Sequence, residues 1–319
     1  MAHPDPHAAL HARQPGAQTA RLWRIWMPVG LIVTVAGVLW ALLTAPMPPE
    51  PIAAALPPAP AAAAALPPVT IVQTENVAPC DSPEIAELLA SGDDDAVVAA
   101  WGGGRAFRDA IVAGDADCIS LNEPQRLWLV VNKRRSLEPQ NYAPKPLAIP
   151  AAIREGDGDY LRADVTEALN QLSKAAQDAG HGEVVLGSGY RSHAVQVQNF
   201  QSHIDQFGIA EAEAQSARPG HSEHQTGLAA DVLACESHCS GILDFGDTAT
   251  GRWVADNGWR YGFIVRYDHG QQGITGYEPE PWHLRFVGKE LARAYHEGGF
   301  TSLEKFFGLP DAPDYIDEW

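Results

Sequence analysis

The sequence predicts an α+β fold, because helical and strand-like patterns occur together without the regular strand–helix alternation of a parallel sheet. Residues 161–179 carry apolar side chains three and four positions apart, which is the spacing of an amphipathic helix. Short apolar runs at 184–186, 228–233 and 263–267 have the length of strands instead. We therefore expect one mixed domain in which several helices pack on a small number of strands.

The remaining elements follow from the same spacings. Residues 81–117 indicate short helices, interrupted by the glycines at 102–104 and the aspartates at 93–95, and they carry no evident chemistry. Residues 127–131 form an apolar run that predicts either a strand or a buried turn. The other predicted elements are helices at 194–207, 251–257 and 288–296 and a strand at 283–287.

A long apolar segment at residues 26–45 precedes this domain and contains no charged side chain. About 20 such residues can cross a bilayer as one helix. Arg21 and Arg24 lie just before it, and positive charges mark the cytoplasmic end of a membrane helix. We expect residues 1–25 to be a cytoplasmic tail and the bulk of the chain to lie on the periplasmic or cell-wall side. The alternative is a cleaved signal peptide, whose apolar region is usually only about 7–15 residues long.

Residues 46–76 begin with a tract of proline and alanine, a composition that cannot bury a core and favours an extended, semi-rigid spacer. After this linker we expect a small helical extension at 77–120 and the main domain at 121–310. A short C-terminal tail at 311–319 completes the chain. The role of the helical extension does not follow from its sequence.

The charge of the chain restricts its partners. Its formal net charge is -18, and the basic residues at 133–135 form a short run that we interpret as a solvated patch. Nucleic-acid binding needs clustered lysine and arginine, so we expect no nucleic-acid partner. Composition does not determine the oligomeric state.

Four cysteines follow the apolar segment, and an even number in an exported domain indicates two disulfides. Three pairings are possible, and Cys80–Cys118 with Cys235–Cys239 keeps each disulfide within its own region. The alternative for the second pair is a metal site that also includes His238. That site lacks a further cysteine or histidine pair nearby, so we favour the disulfide.

Two polar clusters contain residues that are suited to zinc chemistry. The first combines His224 and Asp231 with glycine and alanine, and the second combines Glu280 and His283 with prolines and a tryptophan. Catalytic zinc takes three protein ligands and keeps one position for water, while a separate carboxylate moves protons. The two histidines and Asp231 would supply the ligands, leaving Glu280 as the base. The alternative is that these side chains only cap and hydrogen-bond turns.

Four strings in register decide between these interpretations. They resemble the VanY-type D-alanyl-D-alanine carboxypeptidases, which belong to the LAS metallopeptidases, and the resemblance covers roughly residues 127–294. The strings are SGYRS at 188–192, SEHQTGLAAD at 222–231, YGFIVRY at 261–267 and EPWHLRFVG at 280–288.

The resemblance implies an LAS-type domain, with a small antiparallel sheet flanked by helices, that holds one zinc ion. The implied ligands are His224, Asp231 and His283, with Glu280 as general base. Arg191 is implied to stabilise the developing oxyanion or the substrate carbonyl. Two further positions match substrate-binding residues of the family, namely Gln196 and Ser222.

One residue departs from the family pattern. Family members usually carry tyrosine immediately before the EPWH string, whereas this chain has Pro279. Glu278 thereby becomes a second candidate base, although Glu280 keeps the three-residue offset from His283. The departure concerns the wall of the pocket more than the chemistry.

The expected function is removal of the terminal D-alanine from peptidoglycan stem peptides by a zinc enzyme on a single membrane helix. An endopeptidase or L,D-carboxypeptidase on the same scaffold is a related alternative. A catalytically inactive wall-binding module is an alternative of another class, but such a module has no need of the base Glu280. A serine mechanism of the penicillin-binding type is disfavoured, because the chain lacks a Ser-x-x-Lys string.

Overall fold

The computed structural model describes residues 79–154 and 158–316, which lie within the unit Gln73–Trp319. Within those ranges, no helix is long and apolar enough to cross a membrane. The predicted membrane span at 26–45 lies outside the described residues, as do the predicted cytoplasmic tail and the predicted linker. Those assignments therefore stay predictions.

The described strands form two antiparallel sheets. In chain order the strands are β1 (Leu147–Ala148), β2 (Leu161–Arg162), β3 (Glu183–Ser188), β4 (Ala229–Cys235), β5 (Phe263–Tyr267) and β6 (Glu280–Phe286). β1 pairs only with β2, whereas the larger sheet has the order β3-β4-β6-β5. The fold is therefore α+β with small antiparallel sheets, as the sequence predicts.

The register of the larger sheet brings distant residues together. Asp231 in β4 pairs with His283 in β6, and Ser188 at the end of β3 pairs with Asp231 on its other side. Between Val265 and Tyr267 of β5 the register with β6 shifts, so that Tyr267 pairs with Glu280 at the start of β6. Because β4 and β6 are the central strands, these polar residues meet at one place on the sheet.

The described part of the chain also contains α-helices. In chain order they are α1 (Pro83–Ser91), α2 (Asp94–Ala100), α3 (Gly104–Ala113), α4 (Ala163–Asp178), α5 (His193–Phe207), α6 (Ile209–Gln215), α7 (Ala249–Asn257), α8 (Gln272–Thr275), α9 (Lys289–Glu297) and α10 (Leu303–Phe306). The predicted amphipathic helix is α4, whose residues Val165, Leu169, Leu172 and Ala176 are buried. α5 begins after Ser192, whose side chain accepts a hydrogen bond from the amide of Val195 and so caps the helix.

Two apolar clusters form most of the core. The first joins α4 to the larger sheet and includes Leu169, Val232 and Leu284. The second joins α1–α3 to α9 and α10. Trp128 belongs to this second cluster, so residues 127–131 form the buried turn that was one of the two predicted possibilities.

Both predicted disulfides are present. Cys80–Cys118 joins the start of the helical extension to its end, and Cys235–Cys239 follows β4. Among the described residues no cysteine is free. The alternative of a metal site at 235–239 is wrong, because both of its sulfur ligands are held in the disulfide.

Candidate active site

The structure brings the three predicted metal ligands together. His224 lies in a short 3-10 helix, Glu223–Thr226, directly before β4, while Asp231 and His283 are partners in β4 and β6. One ligand atom from each side chain lies within 4.8 Å of the others. The three side chains are little exposed, with relative side-chain exposures of 2% for His224, 13% for Asp231 and 5% for His283. The antiparallel pairing of β4 with β6 thus builds the cluster.

The ring of His224 is oriented by the loop after β3. Its Nδ1 donates a hydrogen bond to the carbonyl oxygen of Gly189 at 2.7 Å, because a carbonyl oxygen can only accept. Burial, together with the positive charge of Arg191, lowers the pKa of His224 and keeps the ring neutral. Its Nε2 therefore faces Oδ2 of Asp231 with a lone pair, at a distance of 3.2 Å. Two lone pairs at this distance are stabilised by a cation between them.

His283 faces Asp231 with Nδ1 of its ring, whereas His224 does so with Nε2. Its Nδ1 lies 3.0 Å from Oδ1 of Asp231, whereas its Nε2 lies 3.2 Å from Oε2 of Glu223. Although burial opposes the charged form, the adjacent carboxylates of Asp231 and Glu223 raise the pKa of His283 to about 9. The environment thus favours a positive charge at this place.

The environment of Asp231 also favours a positive charge within the cluster. Among the described residues its buried Oδ1 has no hydrogen-bond partner of acceptable geometry. Although burial alone would raise it, the two histidines hold the pKa of Asp231 far below its usual range. Two ring nitrogens and one ionised carboxylate form the donor set of a catalytic zinc site, so the residues present fit that metal.

Glu280 lies beside the cluster, where a register shift between β5 and β6 pairs the start of β6 with Tyr267. Its Oε2 is 3.6 Å from Nδ1 of His283, and its side chain is 16% exposed. Burial, reinforced by the negative charge of Asp231, raises the pKa of Glu280 to about 7. Glu278 is exposed and lies outside the cavity wall. Of the two candidate bases, only Glu280 is near the metal ligands.

The cluster opens into a small cavity of about 210 Å³. Arg191 lines it, and its buried Nε has no hydrogen-bond partner among the described residues. The amide of Arg191 donates to the carbonyl oxygen of His224 at 3.2 Å, which ties the SGYRS loop to the metal ligand. Ser222 is buried and also lines the cavity. Two of the three predicted substrate-contacting side chains therefore reach it.

Gln196, the third, lies behind the cavity wall. It is fully buried in α5, and its Nε2 donates to the carbonyl oxygen of Ala217 at 2.7 Å. Ala217 and Ser216 belong to the wall. In this conformation Gln196 supports the wall from behind.

The sequence analysis missed several side chains at the site. Tyr267 and Tyr277 are buried in the cavity wall, and Glu223 is buried between His283 and two arginines. Although burial opposes it, Arg285 and Arg266 hold the pKa of Glu223 far below its usual range. One arginine lies within each of the apolar strands β5 and β6. Because a buried arginine needs a carboxylate partner, these two arginines were the sequence signal that could have pointed to Glu223.

Comparison with known proteins adds independent evidence. Residues 158–289 match the family described as VanY: D-alanyl-D-alanine carboxypeptidase. The chain is 38% identical over 192 residues to the putative carboxypeptidase YodJ of Bacillus subtilis (strain 168), covering 59% of this chain and 69% of YodJ. It is 36% identical over 152 residues to a D-alanyl-D-alanine carboxypeptidase of Enterococcus faecalis (strain ATCC 700802 / V583), covering 44% of this chain and 54% of that protein.

A solved structure is similar as well. The LdcB LD-carboxypeptidase matches with a TM-score of 0.54 and 38% sequence identity. The match covers 59% of this chain and 88% of that protein's chain. The relatives thus include carboxypeptidases of both D,D and L,D specificity.

Proposed function

Because the chain belongs to the VanY family of D-alanyl-D-alanine carboxypeptidases, we propose that it removes the terminal D-alanine from peptidoglycan stem peptides with one bound zinc ion. The observation that carries the proposal is the convergence of His224, Asp231, His283 and Glu280 at one cavity. A wall-binding module would not require a carboxylate beside the metal ligands. The proposal therefore assigns a hydrolytic role to the site.

The metal would be held by Nε2 of His224, a carboxylate oxygen of Asp231 and Nδ1 of His283. These are the atoms that face one another in the buried cluster. When bound, zinc acts as a Lewis acid and lowers the pKa of a coordinated water to about 7. The hydrogen bond from His224 to Gly189 keeps the proton on Nδ1 of that ring and leaves Nε2 free to bind.

Glu280 is proposed to move the proton during hydrolysis. Its carboxylate is near enough to the cluster to accept a proton from the attacking water and to deliver it to the amine of the departing alanine. Arg191 is proposed to donate hydrogen bonds to the carbonyl oxygen of the scissile bond. A guanidinium stays charged in the cavity and stabilises the negative charge that develops on this oxygen.

Recognition of the free carboxylate at the end of the substrate is assigned to Ser222. Its side chain lies in the cavity wall next to the metal ligand turn, where the hydroxyl can donate a hydrogen bond. Gln196 would act indirectly, by holding Ala217 in place. This assignment predicts that substrates without a free terminal carboxylate are poor.

An L,D-carboxypeptidase is the second candidate function. The likeness to the LdcB LD-carboxypeptidase favours it, since the 38% identity extends over 59% of this chain and 88% of that chain. Such an enzyme would also remove a terminal D-alanine, but from the shorter tetrapeptide, in which the preceding residue has the L configuration at the scissile bond. The metal centre and Glu280 would serve both reactions equally.

The location of the domain in the cell is also a proposal. We place it on the outer side of the cytoplasmic membrane, held by the apolar segment at 26–45. The two disulfides support this, because such bonds persist in oxidising compartments. The peptidoglycan would then be within reach of the cavity.

A substrate panel analysed by mass spectrometry tests the proposed function. The zinc-loaded full chain is incubated with a pentapeptide ending in D-Ala-D-Ala, its C-terminal amide, the matching tetrapeptide and free D-Ala-D-Ala. We expect loss of one alanine from the pentapeptide and at least about tenfold lower kcat/KM for the amide, which corresponds to one lost hydrogen bond to a charged group.

The other outcomes are equally informative. Cleavage of the tetrapeptide alone would replace the proposal by the L,D activity. Equal cleavage of acid and amide would indicate an endopeptidase, and cleavage of free D-Ala-D-Ala alone would indicate a dipeptidase. No cleavage of any peptide by zinc-loaded protein would favour the wall-binding module.

A further inference from the structure

A buried network of ion pairs lies next to the three predicted metal ligands and connects distant parts of the chain. Glu223 precedes the ligand His224 in sequence, yet its carboxylate contacts the other histidine ligand. Its Oε2 lies 3.2 Å from Nε2 of His283, and the two side chains are 1% and 5% exposed. A carboxylate can only accept here, so His283 donates from Nε2.

The second oxygen of Glu223 is held by two arginines. Its Oε1 accepts hydrogen bonds from Nε of Arg266 at 2.9 Å and from Nη1 of Arg285 at 2.7 Å. Both arginine side chains are 0% exposed. Because both oxygens are engaged, the carboxylate cannot rotate away from His283 without leaving buried donors unpaired.

The arginines are in turn anchored by the rest of the fold. Arg266 donates from Nη2 and Nη1 to the carboxylate of Glu304 in α10, at 2.8 and 3.1 Å. Glu304 also accepts from Nδ2 of Asn132 at 3.0 Å. Arg285 donates to the carbonyl oxygen of Leu129 at 2.8 Å. Two carboxylates thus balance two guanidiniums whose side chains are at most 1% exposed.

From these contacts we infer that Glu223 is a positioning residue for the metal site. It keeps a proton on Nε2 of His283 and directs Nδ1 of that ring toward Asp231 and Glu280. The inference rests on the proposed zinc site. It gives the ion network a role in metal binding, and the stability of the fold alone does not require such a network. Apolar residues of similar volume usually stabilise a core as well as a buried ion pair does.

Glutamine at position 223 provides the sharpest perturbation. The carboxylate accepts on both sides, whereas an amide has one accepting oxygen and one donating nitrogen. If the amide oxygen stays with the arginines, the NH2 group faces Nε2 of His283 and favours the tautomer with the proton on Nδ1. That tautomer cannot bind metal through Nδ1. We therefore expect Glu223→Gln to weaken zinc binding by about 10–100-fold, as the loss of a partner of a metal-bound histidine does.

Glu304→Gln is the matched control. Glu304 is as buried as Glu223 and also accepts hydrogen bonds from Arg266, but it does not contact His283. Both substitutions remove one charge from the same network, so both should lower the melting temperature of the metal-free chain. Only Glu223→Gln should change zinc affinity strongly, while Glu304→Gln should stay within about threefold of the wild type, too little to indicate a lost partner of a ligand.

Zinc affinity of the full chains is measured by competition with a chromogenic chelator. Equal affinity of Glu223→Gln and the wild type would overturn the inference, as would an equal loss in both variants. A wild-type chain that binds no zinc would overturn the proposed function itself, which is a different result from tight wild-type binding with no effect of Glu223→Gln.

A measurement on the native chain covers the case in which Glu223→Gln does not fold. In the zinc-loaded wild type, ¹⁵N spectra of labelled histidine should show the proton of His283 on Nε2 and that of His224 on Nδ1. A proton on Nδ1 of His283 would overturn the inference without any variant.

Discussion

Replacement of Gly189 by alanine should disturb one metal ligand through the backbone. A Cβ at this position would lie 2.3 Å from the carbonyl oxygen of Tyr160 and 2.8 Å from that of Gly158. Both contacts are with backbone atoms, so no side-chain rotation relieves them. Since real Cβ atoms essentially never come closer than 3.0 Å, the backbone must move by about 0.7 Å, the difference between 3.0 and 2.3 Å.

The movement acts on His224 because the carbonyl oxygen of Gly189 accepts the hydrogen bond from its Nδ1 at 2.7 Å. Directed along that bond, a shift of about 0.7 Å would stretch it to about 3.4 Å, outside the normal range. We expect Gly189→Ala to lower the free energy of unfolding by about 1–3 kcal/mol, the usual cost of overpacking. Zinc affinity should fall by roughly tenfold, because the ring loses its orienting partner.

Denaturant unfolding of the metal-free chain and chelator competition measure the two effects. Gly273→Ala is the control, because Gly273 in α8 is exposed and a Cβ there meets nothing within 4 Å. Its stability should stay the same or rise by up to about 1 kcal/mol, since alanine is the better helix former. An unfolding free energy of Gly189→Ala within about 0.5 kcal/mol of the wild type, the range typical of neutral surface substitutions, together with equal zinc affinity would contradict this prediction.

Two further predictions concern the disulfides and the membrane segment. Cys118→Ser opens a loop with a sequence separation of 38 and should lower the free energy of unfolding by about 4 kcal/mol, against about 2 kcal/mol for Cys239→Ser with its separation of 4. Similar losses in urea unfolding of the two variants would contradict this estimate from loop-closure entropy. A reporter enzyme that is active only outside the cytoplasm should be active when it is fused after Pro68. The full chain should also be found in the membrane fraction. Activity in a shortened, released form would instead indicate a cleaved signal peptide.

Periodicity predicted the elements better than their ends. The helix expected at 161–179 is α4 at Ala163–Asp178, because its first two residues pair with β1 as strand β2. The strand expected at 283–287 begins at Glu280. Its first residue, Glu280, pairs with Tyr267 after a register shift between β5 and β6. Both differences arise from pairing with distant strands, which local spacing does not contain.

The same limit applies to the site. His224, Asp231, His283 and Glu280 could be predicted because zinc chemistry restricts residue types and the motifs preserve their order. Glu223 was not predicted, since its partner Arg266 lies 43 residues away and is linked to Glu304 a further 38 residues on. Contacts of that range are created by the sheet register and the packing of α10. Sequence therefore indicated the candidate metal ligands and the candidate base, whereas the structure was needed to find which side chains contact them.

Zinc content and turnover of Glu280→Gln test the central claim most directly, with Glu278→Gln as the matched control. Glu278 is also a carboxylate, two residues away, but it is exposed and outside the cavity wall. Each variant is assayed as the full chain with the pentapeptide that the wild type cleaves. We predict that Glu280→Gln keeps its zinc yet loses about 10²–10⁴-fold in kcat, because only the proton transfer is missing. Glu278→Gln should match the wild type in both measurements. Wild-type turnover in Glu280→Gln, or a loss confined to Glu278→Gln, would contradict it.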